Sequence, residues 1–101
     1  MKSIIITGGG SGVGRASAQL FASRSWFVGL GDISEAGMAE TAALLPAGAS
    51  FSQRLDVRSP EDWVSGLEAS AEAAGGRIDV VFNNAGIAHG GALTELSESE
   101  I

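Results

Sequence analysis

A chain of 101 residues with 6 Lys+Arg against 12 Asp+Glu, 15 Gly, no Cys and no Tyr has room for one small domain, with about 60–70% of its surface hidden on folding and a thin stability margin. The formal charge of −6 argues against nucleic-acid and anionic-membrane partners, which depend on an excess of Lys and Arg, and the absence of Cys excludes disulfides, zinc–thiolate centres and thiol nucleophiles. The apolar run near the start, Ile4-Ile5-Ile6, is too short for a signal-peptide core or a membrane span, so the expectation is a soluble, cytoplasmic protein whose partners are small molecules or proteins.

Residues 2–7 are a β-branched run that stops in glycines, as a buried parallel strand does. Over residues 13–24 the apolar positions Val13, Ala16, Leu20 and Phe21 recur at three- and four-residue steps, which predicts a helix laying that face on a sheet. Residues 26–31 form a second apolar stretch closing on Asp32; Ser34 then caps a helix with Met38, Ala42 and Leu45 on one side, ended by Pro46. A weaker strand covers residues 50–57. Ser59-Pro60-Glu61-Asp62 supplies an N-cap, a proline at the first helical position and two acids for the helix dipole. The third helix carries the stripe Trp63, Leu67, Ala71 and Ala74 and ends at Gly75-Gly76. Residues 78–82 are a fourth apolar strand running into Asn83-Asn84-Ala85-Gly86. Strands alternating with amphipathic helices specify an α/β fold, a parallel sheet with helices on both faces and strand order 3-2-1-4. The sequence shows neither an internal repeat nor a low-complexity tract.

Two features predict that the native fold continues past the fourth strand. Ser97-Glu98-Ser99-Glu100 is a capping box with only Ile101 behind it, and such a box announces a helix. Val80, Val81 and Phe82 suit burial on both faces, whereas an edge strand is usually blunted by charge, proline or a bulge.

The turn between the first strand and first helix reads Thr7-Gly8-Gly9-Gly10-Ser11-Gly12-Val13-Gly14-Arg15. A phosphate-transfer loop needs Lys and Ser or Thr after its last glycine, but the frame Gly9 to Gly14 is followed by Arg15-Ala16. The G-x-G-x-x-G dinucleotide spacing fails as well, because its third glycine falls on Val13. The pattern that remains is Gly8, three residues, Gly12, one residue, Gly14. Its chemistry suits a dinucleotide: a tight turn, close backbone approach to a pyrophosphate, and a helix N-terminus aimed at the phosphates. Asp32 stands 18 residues after Gly14 and 20 after Gly12, where an acid accepts hydrogen bonds from an adenosine ribose; the other reading is a residue that helps start the second helix. An acid there repels a 2′-phosphate, and no Arg or Lys lies between Gly8 and Gly14 or between Asp32 and Gln53, which favours NAD over NADP. Arg15 has two readings, a phosphate contact or a solvent-facing residue of the first helical turn.

Together, Thr7-Gly8-x-x-x-Gly12-x-Gly14, Asp56-Val57 after the third strand and Asn83-Asn84-Ala85-Gly86 after the fourth resemble the N-terminal half of a short-chain dehydrogenase/reductase. The resemblance covers essentially residues 1–101 as one NAD(P)-binding domain. It implies a Rossmann-type doubly wound parallel sheet, a three-layer α/β/α sandwich truncated after the fourth strand. It further implies that Gly8 and Gly14 shape the turn, that Ser11, Gly12 and Val13 lie near the pyrophosphate, and that Asp32 with Ile33 meets the adenosine ribose. Asp56 and Val57 are placed at the adenine, Asn84, Ala85 and Gly86 along the cofactor's ribose side, and Asn83 between neighbouring strands. For Asp56 a plain loop acid before the third helix is the alternative. The activity implied is that of an oxidoreductase moving a hydride between NAD and an alcohol or carbonyl substrate, in a complete enzyme that is a homo-oligomer.

The departure from the family pattern concerns catalysis. Family members use a Tyr acid/base, a Lys four residues later and an orienting Ser, often with an Asn on the helix after the fourth strand. Here there is no Tyr and the one Lys is Lys2, in the first strand. No catalytic residue is therefore assigned, and the 101-residue chain by itself is expected to be inactive. His89, the single His, reads as a solvated loop residue rather than a substrate-side group. The alternatives to an enzyme half are a non-catalytic dinucleotide-binding sensor and an inactive fragment.

Overall fold

The computed structural model describes residues 1–84. In chain order the elements are β1 (Ser3–Thr7), α1 (Gly12–Ser23), β2 (Phe27–Asp32), α2 (Glu35–Ala43), β3 (Ser50–Arg54), α3 (Pro60–Ala73) and β4 (Val80–Asn83). All pairings are parallel, in the order β3-β2-β1-β4, as expected from the sequence. Alternation along the strands sorts the side chains onto two faces. Ile4, Ile6, Val28 and Leu30 face one way and meet Ala18 and Ala22 of α1 and Met38 of α2, with Leu45 just beyond it and Phe82 at the margin. On the other face Ile5, Gly29 and Leu55 meet Gly66 and Ser70 of α3. The result is helices above and below one sheet. Among the described residues no helix is long and apolar enough to cross a membrane.

Two helical faces differ from the sequence expectation. In α1 the buried positions are Gly14, Ala18 and Ala22, while Val13 is 63% and Leu20 51% exposed and Ala16 is exposed too. In α3 the buried positions are Gly66 and Ser70, with Trp63, Leu67, Ala71 and Ala74 half-buried beside them. The reason is common to both helices. A row of small residues at four-residue intervals lets a helix axis come close to the strands, and bulky residues on that row would hold it off. Gly29 shows the fit: a Cβ there would lie 3.0 Å from Ser70 Oγ and 3.2 Å from Ile5 Cγ1.

The caps agree with the sequence. Ser34 Oγ accepts from Gly37 N–H at 3.0 Å, and Ser59 Oγ accepts from Asp62 N–H at 3.2 Å with Pro60 opening α3. After α3, Gly75 and Gly76 take φ of 88° and 98°, a left-handed region that glycine enters without a steric cost.

Strand β4 is held in register at both ends. At the bottom, Asp79 accepts from Ser3 N–H at 2.8 Å and returns its own N–H to Ser3 O at 3.0 Å; Ser3 Oγ donates to Arg77 O. The Ser3 amide, with Arg77 beside it, holds the Asp79 carboxyl below the usual carboxylate range. At the top, the Thr7 hydroxyl donates to Asn83 Oδ1 at 3.1 Å and accepts from Asn84 N–H at 2.9 Å. Asn83 thus ties β1 to β4, as the sequence suggested. Val80 and Val81, whose apolar character suits burial, are exposed, and among the described residues β4 has a strand on one side only.

The top clasp has a measurable weight. Thr7→Val keeps the shape of a fully buried side chain but removes the partner of the Asn84 amide. We expect a loss of about 1–2 kcal/mol in urea unfolding; a loss below about 0.5 kcal/mol would show that the hydroxyl contributes nothing to register.

Candidate functional site

The glycine turn crosses the carboxyl end of β2. Gly8 and Gly9 both direct their N–H groups at Gly31 O, at 2.7 and 3.3 Å, and Gly8 and Gly12 have φ of 71° and 56°. Gly14, in the first turn of α1, lies against the Gly8 peptide so closely that a Cβ would fall 2.0 Å from Gly8 O. The start of α1 therefore sits directly on the loop. That start is also uncapped. Ser11 makes no side-chain cap bond and the first turn holds no acid, whereas α2 has Ser34 and Glu35, and α3 has Ser59, Glu61 and Asp62. The positive end of the α1 dipole thus has neither a Ser11 cap bond nor an acid in its first turn.

Asp32 reaches both ways from the end of β2. Its Oδ2 accepts from Gly10 N–H at 2.9 Å and its Oδ1 from Ser34 N–H at 2.9 Å. The helix-starting reading of Asp32 is thereby realised, and the same carboxylate also holds the loop. Each oxygen has capacity for a further hydrogen bond, and Asp32 lines the cleft, so a further donor can still be accepted. Arg15 follows neither of its sequence readings. It is half-buried, with Nη2 at 2.6 Å from Gly10 O, 3.3 Å from Gly37 O and 3.0 Å from Glu40 Oε1, and with Nε donating to Thr41 Oγ1 at 2.9 Å. Its guanidinium braces the loop against α2. Gly37 permits that contact, since a Cβ there would lie 2.8 Å from Gly10 O.

Beyond β3 a short turn forms the far end of the site. Arg58 grips Asp56 through its backbone N–H and Nε to Oδ1, at 2.9 and 3.1 Å, and through Nη2 to Oδ2 at 3.0 Å. The Arg58 side chain, aided by its amide, pushes the Asp56 carboxyl down to about 2 from an ordinary 3.8. From α3, Asp62 Oδ2 accepts from Asp56 N–H and Trp63 Nε1 donates to Val57 O, both at 2.8 Å. The turn is fixed from below.

These parts enclose one open cleft of about 600 Å³ at the carboxyl ends of the strands, where a doubly wound sheet receives its ligand. Gly8, Ser11, Gly12 and Val13 form one wall, and Asp32 with Ile33 a second. Asp56 and Val57 close the far end and Asn84 lies at β4. Gly14 is beneath the loop rather than in the wall. Ala85, Gly86 and His89 lie outside the described residues. The sequence reading missed Leu55 and Arg58, which also line the cleft; the Asp-x-Arg spacing, which lets an arginine fold back onto the acid, was the available signal for the second. Among the described residues no group of three or more His, Cys, Asp or Glu could hold a metal ion.

Fold and cleft together define an α/β protein of the doubly wound class, with an open cleft at the carboxyl ends of its strands. The family profile of short chain dehydrogenases matches residues 2–101, and the chain belongs to that family. It is 45% identical over 98 residues to the 2,5-dichloro-2,5-cyclohexadiene-1,4-diol dehydrogenase of Sphingobium indicum, covering 95% of this chain and 38% of that protein. It is 37% identical over 96 residues to the meso-2,3-butanediol dehydrogenase of Serratia marcescens, again 95% of this chain and 38% of the relative. The chain therefore spans less than two fifths of the length of these curated relatives. Among solved structures, a short chain dehydrogenase/reductase from Burkholderia phymatum in complex with NAD superposes with a TM-score of 0.73 at 35% identity, covering 79% of this chain and 29% of that one.

Gly14 and Gly12 separate packing from backbone strain. Gly12 has open space around its Cβ position but a left-handed φ, so Gly12→Ala is expected to cost about 1–2 kcal/mol. Gly14→Ala drives a methyl into the Gly8 carbonyl and is expected to cost about 3 kcal/mol. Urea unfolding checks both, and a Gly14→Ala protein no weaker than Gly12→Ala would refute the close seating of α1.

Proposed function

We propose that this chain is the cofactor-binding part of an NAD-dependent short-chain dehydrogenase, acting on a small alcohol or its carbonyl counterpart. The observation that carries the reading is the Asp32 carboxylate, at the end of β2 between the glycine loop and the cleft. The residues suit a dinucleotide. The uncapped start of α1 with Ser11, Gly12 and Val13 offers N–H groups and a positive dipole to a pyrophosphate. Asp32 accepts from the two hydroxyls of an adenosine ribose, and Ile33 and Val57 provide apolar surface for the base. Asn84 and, by the family resemblance, Ala85 and Gly86 serve the ribose nearer the nicotinamide. The nicotinamide, when bound, supplies the hydride chemistry; the chain's own part is to bind and orient. The Asp32 carboxylate, with Arg15 committed to the loop and α2, supports NAD over NADP.

Two relatives named for diols support a small hydroxylated substrate, and the family supports a homo-oligomeric enzyme. The composition supports a cytoplasmic one. With no Tyr in the sequence, the family's proton-transferring residue is not supplied by these 101 residues. A second reading, a dinucleotide sensor without chemistry, is compatible with the same fold and cleft; assay of the full-length protein over a panel of alcohols with NAD separates the two.

The dissociation constants of NAD and NADP, measured for wild type, Asp32→Asn and Asp32→Ala, test the assignment. Wild type is expected to prefer NAD by about tenfold or more, one charge-assisted contact being worth about 1.5–3 kcal/mol. Both variants are expected to weaken NAD and narrow the gap. Equal affinities in wild type would sink the role given to Asp32.

A further inference from the structure

Arg58 lines the cleft, and the proposed function gives it no role. Its side chain is 75% exposed, yet the guanidinium is not loose, because Nε and Nη2 grip the two oxygens of Asp56 at 3.1 and 3.0 Å. The turn beneath it is anchored by Asp62 and Trp63. The fork is therefore presented to the cleft in a fixed position.

The hydrogen-bonding capacity left over can be counted. A guanidinium carries five N–H groups, of which two are spent on Asp56, leaving three. Asp56 Oδ1 accepts twice and Oδ2 once, which leaves one lone pair on Oδ2. The pair carries no net charge, so it does not make an anion site. What it offers is a planar edge with several donors and one acceptor. A carboxylate alone can only accept: it would pair with the 6-amino group of adenine and repel a 6-oxo group.

Resting on the dinucleotide reading above, we propose that Asp56 and Arg58 act together as a mixed donor–acceptor edge for the base, so that the site takes a 6-oxopurine dinucleotide about as well as the 6-aminopurine one. Asp56 receives the amino group of adenine through its remaining Oδ2 lone pair. The free guanidinium N–H groups of Arg58 meet the oxo group of hypoxanthine. Arg58 is thus a specificity-determining residue whose effect is tolerance.

Isothermal titration of the protein with NADH and with reduced nicotinamide hypoxanthine dinucleotide provides the test. In wild type the two dissociation constants are expected to agree within about threefold. In Arg58→Ala, and in Arg58→Met, which keeps the apolar stem but has no donor, the hypoxanthine dinucleotide is expected to weaken about tenfold relative to NADH. A wild type that already rejects the 6-oxo base by tenfold, or variants that leave the ratio unchanged while NADH still binds, would overturn the proposal. If wild type fails to bind NADH at all, the dinucleotide reading itself falls and this one with it.

Discussion

The whole arrangement depends on the contact between the first turn of α1 and the Gly8 peptide. With 2.0 Å between a hypothetical Gly14 Cβ and Gly8 O, any other residue at position 14 must separate the helix from the loop. Because they stay together, the end of β1, the turn and the helix start form one rigid piece, and an uncapped helix dipole points over the carboxyl ends of the strands. The small-residue face of α1, with Ala18 and Ala22 on the sheet, follows from the same requirement.

The loop is then secured from its other side. Asp32 holds Gly10 N–H while Arg15 holds Gly10 O, so both polar groups of one loop residue are fixed by side chains from β2 and α1. Arg15 also reaches α2 through Gly37 O and Thr41. The cost of ordering a glycine-rich segment is substantial, and these bonds meet it within the fold. A ligand entering such a loop has less ordering left to do, and preorganisation of this kind favours affinity.

Much of this was legible in the sequence, for reasons that can be named. Strand runs, serine caps and the helix-ending glycines are local signals, and each depends on residues within four positions of one another. Asp32 and the glycine spacing were legible because an acid about 20 residues after a glycine turn is a recognisable pattern, and the fold joins the two through Gly10 N–H and Asp32 Oδ2. The helix faces of α1 and α3 were not, because a hydrophobic pattern weights Val13 and Leu20 above Gly14 and Ala18, while close packing selects the small residues. Arg15 was misread because its partners Gly37, Glu40 and Thr41 are 22–26 positions away, and nothing in the local pattern of α1 points to α2. Arg58 escaped notice because its part depends on folding back onto Asp56, and long charged side chains near an acid usually face solvent.

The central claim is that the start of α1, the end of β2 and the turn after β3 are one dinucleotide cradle. Titration of the ¹⁵N-labelled protein with NAD, followed through its backbone amide resonances, tests this most directly. Ser11, Gly12 and Val13, together with Ile33 and Val57, should move in concert along one binding curve, while Lys2, Trp26 and Arg77 at the opposite end of the sheet stay in place. Shifts centred on that opposite end, or none at millimolar NAD, would contradict it.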